Sequence, residues 1–199
     1  MRLFTAIEIP PDLNDGLKDR ATGVGRNDVM HNLIVLLDRL RPAAKLSWTR
    51  PENLHITTKF IGEWPEARLP ELHEAVALLP DRPVIEVTVS GVGFYPHERA
   101  PRVFWCGIEA PGLAALAADT DAVTASLGVA RENRAYSPHL TLARVRDRQD
   151  MRPLQSAISA IPSLDFGRFT ARSFFLFRSE LRPAGSVYTK IAEFPFSKR

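Results

Sequence analysis

The chain has 199 residues, 45% hydrophobic and 25% charged, with a formal net charge of +3. That is long enough for a full-sized domain with its own core, is not the composition of a disordered or fibrous chain, and lacks the dense positive charge of a DNA-coating protein. Cys106 is the one cysteine, which excludes an internal disulfide and a thiolate metal cluster, and no uncharged apolar run approaches the ~18 residues that span a bilayer.

The first apolar run, Leu3 to Pro10, is interrupted by Glu8 and reads as a strand, not a secretory signal, so a cytoplasmic location is expected. Helical spacing begins with Leu13 and Leu17, breaks at Gly23 and Gly25, and resumes with Val29, Leu33, Leu36, Leu37 and Leu40. Two short strand-like stretches follow, the second carrying Leu54-His55-Ile56-Thr57-Thr58-Lys59-Phe60, and then a helix over 66–79 and a strand over 84–94. The order then repeats. A run from Val103 closes in Ile108-Glu109-Ala110-Pro111, as the first closes in Ile7-Glu8-Ile9-Pro10, and each Pro suits the first turn of a helix. Leu113, Leu116, Ala117, Val123 and Leu127 give that helix, ended by Gly128. The second copy continues with two short strand-like stretches, the latter carrying Pro138-His139-Leu140-Thr141-Leu142-Ala143-Arg144, a helix over 151–161 and a strand over 169–177, and the run 187–194 adds one more strand.

Each half therefore reads β-α-β-β-α-β, the ferredoxin-like order. The expectation is an α+β fold of two such lobes, about 1–97 and 98–199, related by a pseudo-two-fold axis, with room for an exchange of strands between them. A central cleft would be lined by the two motif strands. Pro10 and His55 are 45 positions apart and Pro111 and His139 are 28 apart; the excess of 17 falls between Gly23 and Ala44 and is expected to form a longer surface helix.

With five His and eleven Thr, chance supplies about 0.3 His-x-Thr triplets in a chain of this length. Two, at matching points of a repeat and in strand context, call for an explanation beyond half-buried histidines beside threonines of good β-propensity. Strand alternation puts His55 with Thr57, and His139 with Thr141, on one face, with Ile56 and Leu140 on the other. Cleaving a phosphodiester needs a base for water and an acid for the leaving oxygen, and histidine serves as either near neutral pH. Two threonine hydroxyls would donate to the non-bridging oxygens. No carboxylate-rich His cluster suggests a two-metal site, so metal-free acid–base chemistry is the simpler reading, with no cofactor.

These residues resemble the 2H phosphoesterase superfamily, in particular its LigT or ThpR group of RNA 2′,3′-cyclic phosphodiesterases. The likeness rests on Arg2-Leu3-Phe4-Thr5-Ala6-Ile7, on Trp48-x-x-Pro51-Glu52-Asn53-Leu54-His55-Ile56-Thr57, and on Lys59-Phe60-Ile61-Gly62-Glu63. It continues through Pro138 to Arg144, Ser179-Glu180-Leu181 and Tyr188. The resemblance implies a two-lobed fold and hydrolysis of RNA 2′,3′-cyclic phosphate ends, or small cyclic nucleotides, to 2′-phosphomonoesters. By the same analogy His55 is the general acid and His139 the general base; the repeat alone leaves the two interchangeable. Some members also join tRNA halves through a 2′-5′ bond without ATP. A monomer is expected, since one chain supplies the whole cleft. Thr58 departs from the family's usual Leu, and its hydroxyl on the core side needs a partner.

Three further residues are candidates for binding substrate. Lys59, on the His55 face by alternation, would hold phosphate, unless it is an ordinary exposed lysine. Tyr136 would stack on a base, or else pack as a strand aromatic. Arg144 matches the resemblance, but strict alternation puts it opposite His139, so a twist or bulge must bring it round. Phe4 reads as core, His31 and His73 as helix-surface residues, His97 as a turn residue, and Cys106 as packed and inert. The reading from another class is a non-catalytic RNA-binding module, which the absence of paired aromatic-rich strands disfavours.

Overall fold

In the computed structural model, which describes residues 1–10, 29–183 and 185–197, nine strands form one sheet backed by four helices. Strand β1 (Arg2–Glu8) buries Leu3 and Ile7 in the main core and turns Phe4 and Ala6 to the opposite face. Helix α1 (Val29–Leu40) buries Val29, Met30, Leu33, Leu36, Leu37 and Leu40, the stripe expected of a helix lying on a sheet. The excess of 17 residues falls ahead of α1, and it lies, with the predicted Leu13–Leu17 segment and the Gly23–Gly25 break, largely outside the described residues.

The remaining elements are β2 (Ser47–Trp48), β3 (His55–Glu63), α2 (Leu69–Ala77), β4 (Ile85–Tyr95), β5 (Val103–Glu109), α3 (Leu113–Ser126), β6 (His139–Arg144), α4 (Arg152–Ser159), β7 (Asp165–Ala171), β8 (Ser173–Arg182) and β9 (Gly185–Pro195). Gly128 follows α3 with φ +97°, a left-handed conformation that glycine takes without strain and that stops the helix. The buried stripe of α3 is completed by Thr120 and Thr124 in place of the predicted Val123; each hydroxyl bonds a carbonyl one turn back, Thr120 to Leu116 and Thr124 to Thr120, both at 2.7 Å.

The strand order is β7-β4-β5-β6-β3-β1-β8-β9, with β2 pairing β6. The sequence halves do not form separate sheets: β4 lies between β5 and β7, and β8 lies between β1 and β9. Two expectations are corrected. The predicted strand over 169–177 is the end of β7 and the start of β8, separated only by Arg172, and the stretch 129–138 holds no strand. Strands sit about 4.8 Å apart in a sheet, so a single residue can link the first and seventh positions only because the sheet curls strongly. At its centre β3 and β6 meet antiparallel through the Ile56–Leu140 pair. Helices and the main core lie on the face of Ile56 and Leu140; the other carries a small cluster of Phe4, Ala6 and Phe177.

Candidate active site

The Ile56–Leu140 pairing sets His55 opposite Thr141 and Thr57 opposite His139, all four on the face away from the helices. Each imidazole is fixed in the same way. Nδ1 of His55 lies 2.7 Å from the carbonyl oxygen of Asn53, and Nδ1 of His139 lies 2.8 Å from that of Ser137. A carbonyl only accepts, so each Nδ1 must carry the hydrogen, which leaves each Nε2 as the atom that exchanges a proton. Neither Thr57 nor Thr141 has its hydroxyl engaged by a partner among the described residues.

Directly after each motif threonine the strand bulges. β1 pairs Ala6 with Thr57 and Thr5 with Lys59, so Thr58 is extra; β5 pairs Trp105 with Thr141 and Phe104 with Ala143, so Leu142 is extra. Two consecutive side chains then enter the core side, Thr58 with Lys59 and Leu142 with Ala143, and the alternation resumes one residue late. Thr58 finds its partner in the buried Thr5, hydroxyl to hydroxyl at 2.7 Å.

Lys59 is therefore not on the histidine face, as strict alternation had it. It is 5% exposed and runs under α3, donating to Asp121 Oδ1 and to the carbonyl of Ala130, each at 2.7 Å. Asp121 Oδ1 also accepts the Glu132 backbone N–H at 3.0 Å, so the pair pins the irregular stretch before His139 to β3. Arg144 gains what Lys59 loses: beyond the bulge it is exposed, and its charge acts on His55. Tyr136 is corrected too, since its ring packs on the core and its hydroxyl donates to the Thr57 carbonyl at 3.0 Å. It ties the two motifs together, half-buried against the core.

The aromatic walls come from residues outside the substrate-binding candidates, among them Phe4, which the sequence assigned to the core. Phe4 lies 4.8 Å from the His55 ring and stacks on Phe177, while Tyr188 meets His55 edge-on at 5.2 Å. Phe60, 57% exposed, extends this wall. Across the site Tyr95 meets His139 edge-on at 5.2 Å, stacks on Trp105 and shares a 2.9 Å hydrogen bond with Ser137. The Trp105 indole lies against Gly93, where a Cβ would collide with it. Phe4, Phe60 and Tyr188 all stood in the resembling segments, but strand position alone does not separate Phe4 or Tyr95 from core aromatics. A cavity of about 90 Å³ beside His55 is lined by Phe4, Phe177 and Tyr188 with Glu8, Glu52, Asn53 and Lys190. The β8–β9 hairpin walls it, held by Asn53 donating to the Ser186 carbonyl at 2.8 Å and Lys190 to Glu8 at 2.6 Å.

Burial holds the pKa of His55 below its ordinary 6.5; the Asn53 carbonyl opposes this, and the charges of Arg144 and His139 add to the lowering. Burial also pushes the Cys106 thiol up to about 12, in keeping with a packed, inert cysteine. Among the described residues no three of His, Cys, Asp and Glu are placed together as metal ligands, and no helix is long and apolar enough to cross a membrane.

A family model, LigT like Phosphoesterase, matches residues 24–105 and 108–188. The RNA 2′,3′-cyclic phosphodiesterase of Methanothermobacter thermautotrophicus is 32% identical, covering 98% of both chains. The protein of the same name from Methanocaldococcus jannaschii is 32% identical over 97% of this chain and 99% of its own. Among solved structures, TT0787 of Thermus thermophilus aligns with a TM-score of 0.77 and 28% identity over 100% of this chain and 99% of that one. LigT of E. coli, crystallised with 3′-AMP, shares the fold with a TM-score of 0.75 at 24% identity over 99% of this chain and 98% of its own.

Proposed function

Because the chain belongs to the LigT-like phosphoesterase family, we propose that it hydrolyses RNA 2′,3′-cyclic phosphate ends to 2′-phosphomonoesters by metal-independent, two-histidine acid–base catalysis. The observation that carries this is the matched setting of the two imidazoles, each with Nδ1 on a carbonyl two residues back and Nε2 free for proton transfer. His139, neutral, takes a proton from water at Nε2 as the water oxygen bonds to phosphorus. The bond from phosphorus to the 3′-oxygen breaks in line, and His55, protonated, delivers its Nε2 proton to that oxygen. The products are a 3′-hydroxyl and a 2′-phosphate. Thr57 and Thr141 donate to the non-bridging oxygens, whose charge grows in the transition state. The donor set supports metal-free chemistry, because two histidines and two hydroxyls, with their own proton donor and acceptor, are a poor nest for a divalent ion. Arg144 adds positive charge beside the phosphate, and the rings around His55 offer a surface to the nucleoside.

We read the halves 1–97 and 98–199 as lobes related by an approximate two-fold axis that have traded strands. The pairing of β4 with β5 and of β8 with β1 supports that reading. All the site residues come from one chain, so a monomer suffices.

The test is hydrolysis of a nucleoside 2′,3′-cyclic phosphate in excess EDTA, with the products resolved as 2′- or 3′-phosphate. Clean 2′-phosphate at a rate unmoved by EDTA is expected. A 3′-phosphate product, or activity lost with the chelator and restored by metal, would falsify the mechanism.

A further inference from the structure

Outside the motifs, the strongest unexplained feature is a strip of cationic side chains at the C-terminal end of β6. Arg144 lies between Ser47 and Val103 in the sheet. Val145 is buried and donates its backbone N–H to the Arg102 carbonyl at 2.9 Å. Gln149 holds the backbone of Lys45 from both sides, accepting from its N–H and donating to its carbonyl, each at 3.1 Å. These bonds gather Lys45, Arg102, Arg144, Arg146 and Arg148 into one patch, with all five side chains exposed.

The strip differs from the rest of the cleft's border in its charge balance. Lys190 is paired with Glu8, Arg178 and Arg182 with Glu180, Arg131 with Asp121 and Arg134 with Glu132. None of the five strip residues has a carboxylate within ion-pair distance among the described residues. Asp147 is the one acid of the segment left to oppose them, since Asp150 is held by Arg152 at 2.7 Å. The strip is therefore a cationic exit from the cleft without a carboxylate partner among the described residues, and it begins at the arginine whose charge reaches His55.

We propose that this strip is the track for the RNA strand 5′ of the cyclic phosphate, so that the preferred substrate is an RNA end and not a free cyclic mononucleotide. The inference rests on the function proposed above. His55 protonates the 3′-oxygen, so the terminal nucleoside lies on the His55 side of the phosphorus and water on the His139 side. The only continuation of the substrate is through the 5′-oxygen of that nucleoside, and it leaves over Arg144. Each backbone phosphate that meets the strip displaces counterions, which makes affinity for the strand fall more steeply with salt than affinity for a mononucleotide.

The experiment compares uridine 2′,3′-cyclic phosphate with a hexauridylate carrying the same cyclic end, in wild type and in Arg146→Glu/Arg148→Glu. For the hexamer, kcat/KM is expected to fall about tenfold or more in the variant, with a shallower dependence on salt. The unchanged mononucleotide rate serves as the control for folding and for the intact site. Equal losses on both substrates, or none on either, overturn the strip as a track. Should wild type open neither substrate, the proposed hydrolysis fails instead. Fluorescence anisotropy of the same hexamer then decides the strip alone: equal affinity in wild type and variant overturns it.

Discussion

His55 and His139 share a motif and a hydrogen-bond pattern, but His55 is half-buried among Phe4, Phe177 and Tyr188, with the charge of Arg144 acting on it, whereas His139 meets the Tyr95 ring. Its depressed pKa means that in the free enzyme His55, the proposed acid, is already losing its proton below pH 6.5. An anionic cyclic phosphate opposes the charges that depress it. The falling limb of kcat against pH, which reports the bound state, should therefore lie at higher pH than that of kcat/KM. Arg144→Met removes one of the lowering charges, so the His55 resonance should titrate at higher pH by NMR; a lower value would contradict the assigned contact. His55→Ala or His139→Ala should abolish most turnover with the fold intact by circular dichroism. Thr57→Ala or Thr141→Ala should cost ~10²–10³ in kcat, the scale of one oxyanion donor. At this scale the sequence was legible where a period of two held and misleading one residue past each motif. The bulges carry Lys59 into the core and bring Arg144 onto the site. A hint was present in Leu142-Ala143, two adjacent apolar residues in an otherwise alternating strand. Thr58-Lys59 gave none, because a lysine does not advertise burial.

Between elements, the irregular stretch before His139 is held by its ties to the opposite half, Lys59 through Asp121 and the Ala130 carbonyl, and Tyr136 through the Thr57 carbonyl. Removing Lys59 alone leaves Asp121, 14% exposed, without its main counter-charge. Lys59→Met should therefore destabilise the fold by about 3 kcal/mol, as loss of one partner of a buried pair does. Replacing both, Lys59→Met with Asp121→Leu, should recover much of that by chemical denaturation, because apolar groups leave no uncompensated charge. If the ties only add stability, the recovered double variant will also regain kcat. If they hold His139 in place, kcat will stay low while KM changes little. The helices were readable from their apolar stripes. The boundary between β7 and β8 was not, because no Gly or Pro marks it: the chain leaves one pairing and enters another at Arg172, and only the curl of the sheet makes that possible.

At the scale of the molecule, β4 completes the sheet beside β5 and β7 while β8 completes it beside β1, so neither half of the sequence owns its own strands. Unfolding by denaturant should be a single transition, with tryptophan fluorescence and far-ultraviolet circular dichroism coinciding, although Trp48 and Trp64 lie in the first half and Trp105 in the second. Two separated transitions would mean that the interlocking is weaker than the pairing implies. The order of elements was visible in the sequence, but it does not say which strand pairs with which, so an exchange of strands could be raised and the places of β4 and β8 could not be read. Its consequence reaches into synthesis of the chain. A nascent polypeptide that has emerged through Arg144 already carries both histidines, both threonines and Arg144, yet β1 lacks its neighbour β8, and Phe177 and Tyr188 have not closed on His55. The finished cleft waits on the last two strands, so ribosome-bound intermediates should be unable to act on the RNA around them.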